Sequence, residues 1–251
     1  FIRSWRGRSP KITLKYDVCR IIRGHSMSNS PEKVIQFLVS PQNDFITRIE
    51  AEETPPNELH VGYEAANKLR GSGKGIDPFV ETVSKFFDDT IPGTDKLFVI
   101  LDEDWHPKHS DEFKTWGNHC IKGTDGARLP KELDEYRFHE RCDSIRANSI
   151  NISTDSRFEP TIGKYCGNSK PEKIRAGIIG VWTHLKVEYL LIALNTVFPK
   201  LDFSNIGICA PLCASPRKQD HDNAIAKFRS FQVNVFEDRD EYCRDWLGLD
   251  Y

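Results

Sequence analysis

Residues 176–197 read AGIIGVW-THLKVEYLLIALNTV, and the first seven decide the fold. A run of small and β-branched apolar residues without polar alternation is what a strand buried on both faces looks like. Thr183 comes next as an N-cap, and 183–197 is apolar nearly all round, which predicts a helix held between the sheet and its neighbours. The same pattern recurs outward in both directions. Runs at 34–39 (VIQFLV), 97–101 (LFVIL), 206–210 (IGICA) and 231–236 (FQVNVF) predict further strands, with one more near 144–152. Helical spacing at 59–69, apolar Phe79, Val83, Phe86 and Phe87 on one face, and stretches at 220–229 and up to Trp246 predict helices between them. Strands that alternate with helices pair in parallel through right-handed crossovers. The expectation is an α/β fold, a three-layer α/β/α Rossmann-like sandwich around a mainly parallel sheet of about six strands.

The chain has 251 residues, 38% of them hydrophobic, enough for one such domain. Its longest apolar run, 189–194, is far short of the ~20 residues a membrane-spanning helix needs. Seven scattered cysteines, an odd number, read as reduced thiols and not as a disulfide framework. A net charge of −2 carries no nucleic-acid signature. The charge is uneven, however: Arg3, Arg6, Arg8, Lys11, Lys15, Arg20 and Arg23 face Asp17 alone in the first 25 residues. We therefore expect a basic N-terminal extension, 1–33, and a domain, 34–251, with the extension docking on an acidic protein partner and an anionic lipid surface or RNA as the alternatives. An Arg-rich, acid-poor stretch opening on Phe1 resembles an organelle transit peptide or the segment just after its cleavage site, so a mitochondrial location is expected, with a cytoplasmic one as the alternative. The GSGKG stretch at 71–75 comes after a helix and lacks the order of a phosphate-binding loop, so it reads as a linker.

In a parallel sheet, ligands sit outside the carboxyl ends of the strands. Four expected ends carry unusual residues: Ser40-Pro41-Gln42-Asn43-Asp44-Phe45, Asp102-Glu103-Asp104-Trp105-His106, Gly180-Val181-Trp182-Thr183 and Ala210-Pro211-Leu212-Cys213-Ala214-Ser215. The polar, aromatic excursion at 103–142 reads as a functional loop or lid. At these residues the chain resembles the isochorismatase-like hydrolase superfamily, which includes the nicotinamidases. Residues 40–45 resemble its Asp-x-Gln-Asn-Asp-Phe, and Asp104-Trp105-His106-Pro107 with His109 resembles its Asp-Trp-His-Pro segment. Trp116-Gly117-Asn118-His119-Cys120 with Gly123-Thr124-Asp125-Gly126-Ala127 is similar to Trp-Pro-x-His-Cys…Gly-Thr-x-Gly-Ala. Gly180-Val181-Trp182-Thr183 resembles the Gly-Val-x-Thr turn, and Ala214-Ser215 with His221 resembles the end of the fifth strand and the next helix.

The resemblance implies a cysteine hydrolase of amides or vinyl ethers. Its triad is an Asp after strand one, a Lys after strand three, and a Cys at the helix after strand four, whose thiol the helix N-terminus and the Lys activate. Here the Asp position is Ser40, the Cys position is Lys186, and 148–153 contains no lysine, Lys164 lying beyond. All three roles are vacant. Cys209 and Cys213 read as buried thiols and not as substitute nucleophiles. The resemblance further implies a divalent metal, zinc or iron, on Asp104, His106 and His119, with His109 one residue early for the family spacing. The alternative is that Asp104 and His106 only hydrogen-bond the loop. Asp44, Phe45, Trp105, Trp182 and Thr183 are expected to line a ligand crevice. Lys186, placed at a helix N-terminus, would have a depressed pKa and act as a free amine, or else pair with a carboxylate such as Asp44 or Glu188.

The functional expectation is an isochorismatase-like pseudoenzyme, a structural or binding subunit of a larger, mitochondrial assembly, with self-association open. The alternative is a hydrolase with altered, metal- or Lys-dependent chemistry.

Overall fold

The computed structural model describes residues 31–72 and 75–250. The expectations for the basic extension fall on residues 1–30, outside the described residues. The compact unit begins at Pro31 and its first strand at Lys33, slightly ahead of the expected boundary at 34.

Six strands form one sheet: β1 (Lys33–Val39), β2 (Leu97–Asp104), β3 (Cys142–Ala147), β4 (Ile174–Val181), β5 (Ile206–Ala214) and β6 (Asn234–Phe236). Their order is β3-β2-β1-β4-β5-β6, and every neighbouring pair is parallel. The connections are α1 (Asn43–Ile46), α2 (Tyr63–Arg70), α3 (Pro78–Phe87), α4 (Phe113–Trp116), α5 (Lys131–Asp134), α6 (Phe158–Cys166), α7 (Glu188–Thr196), α8 (Lys218–Ser230) and α9 (Arg239–Glu241). Strand β5 runs four residues past the expected end. Strand β6 is only three residues long, because Phe231 still bonds back to the end of α8 through its N–H.

Alternation along each strand builds two cores. Val34, Leu38, Val99, Leu101 and Ile179 lie under α2, α3 and the terminal turn at Tyr242–Leu247. Ile35, Phe37, Ile100, Ile178 and Ile208 lie under α6, α7 and α8. Each such large side chain contributes about 1.5–3 kcal/mol by leaving water. Helix α3 shows how local sequence sets this up. Asp77 accepts from the N–H groups of Phe79 and Val80, Pro78 supplies the first helical φ, and Phe79, Val83, Phe86 and Phe87 then point inward. Gly177 serves packing: a Cβ there would strike Tyr242 Oη and Gln36 Oε1, which are hydrogen-bonded to each other at 2.5 Å.

The helix expected at 183–197 divides in two. Thr183–Val187 is a π-helical turn, closed by the Val187 N–H donating to Trp182 C=O at 3.1 Å, and α7 starts only at Glu188. One extra residue in that turn changes where Lys186 points. The chain leaves β1 toward β2 and β3 on one side and returns beside β1 as β4, so the reversal of strand order opens a crevice outside β1 and β4. Among the described residues, no helix is long and apolar enough to cross a membrane.

Candidate functional site: an ion pair where the nucleophile is expected

The wide turn after β4 carries Lys186 back beneath the strand ends. Its Nζ donates to Asp104 Oδ1 at the end of β2 and, at 3.0 Å, to Ser40 Oγ just past β1. Lys186 is 6% exposed, Asp104 3% and Ser40 0%, so the pair is shielded from water. Burial alone would push the ammonium down; the Asp104 and Asp102 carboxylates outweigh it and hold Lys186 above the ordinary lysine value. Burial likewise raises Asp104, but Lys186 and His106 hold it down at about 2. The depressed lysine expected at a helix N-terminus is thereby corrected: the facing carboxylates are stronger than the dipole, and the amine is charged. Its partner is also neither of the two expected. Glu188 pairs with Lys227, and Asp44 accepts from the Cys120 N–H at 2.6 Å.

The other oxygen of Asp104 faces two imidazoles. Oδ2 lies 4.0 Å from His106 Nε2 and 3.8 Å from His119 Nε2. His119 Nδ1 is 2.9 Å from Gly117 C=O, an acceptor only, so Nδ1 carries the proton and Nε2 presents a lone pair. His106 and His119 are buried, and neither Nε2 has a hydrogen-bond partner. Two orphaned imidazole nitrogens converging on one carboxylate oxygen fit a divalent ion of the zinc type, which takes N and O ligands. Glu112 Oε2, 3.8 Å from His106 Nδ1, stands on the far side of that ring, where a carboxylate commonly orients a metal-bound histidine. His109 is exposed and lies outside this group.

Phe45 and Trp182 line the crevice with Leu59, Trp116, Ile150 and Leu185. After β3 the residue that lines it is the apolar Ile150, and no lysine occurs at 148–153. Lys164 is on α6, paired with Asp143 at 2.7 Å. The crevice measures about 30 Å³, room for a water or two and well below the ~300 Å³ of ordinary ligand sites. The expectation that Asp44, Trp105 and Thr183 line it is corrected. Asp44 is packed against Gly126 and tied to Cys120, Trp105 lies under the Arg146 guanidinium at 4.3 Å, and Thr183 Oγ1 pairs with His221 Nδ1 at 2.9 Å. His221 opens instead on a separate cleft of about 900 Å³ between α2 and α8.

Among the described residues, no thiol replaces the expected nucleophile. Cys120 is fully buried, its Sγ 3.8 Å from Gly126 C=O, and burial with the Asp104 and Asp44 carboxylates pushes its pKa up. Burial does the same to Cys209, and raises Cys213 to about 12. Sequence reasoning missed Asp102 as a site residue. It is 1% exposed, neither carboxylate oxygen has a partner, and burial pushes its pKa up to about 7. The signal was present: residues 102 and 104 share a strand face.

Compared as a sequence, the chain matches no family model and no curated protein. Compared as a structure it has many counterparts. The nicotinamidase/pyrazinamidase of Bacillus subtilis aligns at TM-score 0.61 and 19% identity, covering 82% of this chain and 100% of that one. An isochorismatase-like hydrolase from Alkaliphilus metalliredigens aligns at 0.63 and 17%, covering 85% and 99%. The pyrazinamidase of Pyrococcus horikoshii, solved in complex with zinc, aligns at 0.57 and 17%, covering 83% and 100%. At these identities it is the fold that is shared, and this chain has the fold of the isochorismatase-like hydrolases.

Proposed function

We propose that this chain is a pseudoenzyme on a hydrolase scaffold, a binding or structural subunit that has given up thiol chemistry. The observation that carries the reading is the Lys186 ammonium, buried and bonded to Asp104 and Ser40 where the family resemblance places the attacking sulfur. A protonated amine has no lone pair with which to attack a carbonyl carbon, and a hydroxyl at position 40 is too weak a base to free one. The absence of a lysine at 148–153, where Ile150 lines the crevice, removes the third role. Asp104, His106 and His119 would hold a divalent ion, zinc as in the Pyrococcus protein, which when bound supplies a Lewis acid and ties β2 to the loop beyond it. The basic extension supports a role in docking an acidic protein partner and, with it, a place in a mitochondrial assembly.

Two measurements test this. Full-length protein given nicotinamide, pyrazinamide or isochorismate, with and without zinc, shows no turnover above background. Turnover abolished by His106→Ala would overturn the reading. For the subunit role, the full chain co-purifies with protein partners from mitochondria and loses them when residues 1–30 are deleted. A monomer indifferent to that deletion removes this part.

A further inference from the structure

The carboxylate of Asp104 is divided between an ammonium and a pair of imidazole nitrogens. Oδ1 is taken by Lys186 Nζ, while Oδ2 faces His106 Nε2 at 4.0 Å and His119 Nε2 at 3.8 Å. Both imidazole nitrogens are orphaned, so Oδ2 is the oxygen left for a metal. Resting on the reading of these residues as a metal site, we infer that Lys186 sets the metal affinity of the Asp104/His106/His119 group, acting as a built-in cation that weakens the site for a divalent ion.

Three observations support this. First, the ammonium is on the same carboxylate as the metal-facing oxygen and is 6% exposed, so water screens its repulsion of a second cation poorly. Second, holding Oδ1 withdraws it from any ion at the imidazoles, so Asp104 offers one oxygen instead of two. Third, Ser40 Oγ, fully buried, lies 3.0 Å from the same Nζ and accepts from it, so the ammonium is fixed in place beside Asp104. Removing Lys186 therefore leaves Asp104 as a carboxylate facing only the two imidazoles. A metal-binding fold has in effect been given an internal competitor for its metal.

The test is zinc affinity, read by competition with a chromophoric chelator on full-length protein. Lys186→Met, which keeps bulk and removes charge, binds one zinc per chain at least tenfold more tightly than the unaltered protein. Lys186→Gln, which keeps a donor to Oδ1, does the same and stands in should the Met variant fail to fold. Lys186→Arg keeps the charge and binds as the unaltered protein does. His119→Ala on the Lys186→Met background loses the zinc, which places it at these residues. Equal or weaker binding by both uncharged variants overturns the inference while leaving the metal reading intact. Failure of every variant to bind zinc removes both.

Discussion

Asp104 shows how one residue organises the crevice, because Lys186 holds one of its oxygens and two imidazoles face the other. A buried ion pair is weak evidence of stability, since desolvation consumes most of the Coulomb gain, but breaking one is costly. Asp104→Ala leaves the Lys186 ammonium buried against Ser40 and the partnerless Asp102, and should cost about 3–5 kcal/mol in urea unfolding with a chelator present. Adding Lys186→Met to that variant should recover most of the loss, because no unpaired charge then remains. A loss under ~1 kcal/mol for the single change would mean that water reaches the pair. The sequence shows Lys186 as an oddity in a nucleophile position. It does not show the partner, which is 82 residues away and which Lys186 meets from within the π-helical turn after β4.

At the scale of elements, the excursion read in sequence as a lid at 103–142 runs from Trp105 to Arg141, and two arginines fasten its C-terminal end. Arg137 donates through both Nη atoms to Glu103, a fully buried carboxylate on β2 that Ser144 also reaches. Arg141 donates to the C=O groups of Phe86, Thr94 and Leu97 at 2.9, 2.7 and 3.2 Å and to Asp89 at 2.7 Å. Removing Arg137 leaves Glu103 without its bidentate partner. Arg137→Ala is expected to cost about 3–5 kcal/mol and to expose residues 105–141 to limited proteolysis before the sheet is cut. Simultaneous cleavage of sheet and excursion would show that the fastening lies elsewhere. Strand runs such as VIQFLV and LFVIL were readable because burial on both faces leaves a compositional trace. Arg137 meeting Glu103 leaves none, since any arginine in a polar stretch looks solvated. The family resemblance set His109 one residue early for its spacing, out of register with the other ligands. The turn closed by Ser110 N–H on Pro107 C=O leaves His109 in solvent and brings Glu112 beside His106 instead.

For the molecule as a whole, these buried groups combine into a pH profile with two limbs of different origin. Burial, then the Lys68 charge, lowers His221 to about 4 from an ordinary 6.5, and burial lowers His60, His119 and His184 as well. A depressed histidine refuses in the folded chain a proton that the unfolded chain accepts. Its contribution is therefore whole above 6.5 and is lost as pH falls toward 4. Asp102 works in the other sense. Burial raises it to about 7 from 3.8, so the folded chain keeps a proton that the unfolded chain has released. That contribution is whole below 3.8 and disappears as pH rises through 7. Four histidines outnumber one aspartate on the acid side, which puts maximal stability between the two limbs, at about pH 6–7. Urea unfolding across pH 4–9 with a chelator present separates the causes. His221→Gln, which can still bond Thr183, should flatten the acid limb and leave the alkaline one. Asp102→Asn should abolish the fall that ends near pH 7, leaving stability level on the alkaline side, and steepen the acid limb, because the group that opposed the histidines no longer titrates. An alkaline limb that survives Asp102→Asn would mean that the orphaned carboxylate is already ionised in the fold, held by Lys186 more strongly than burial opposes it.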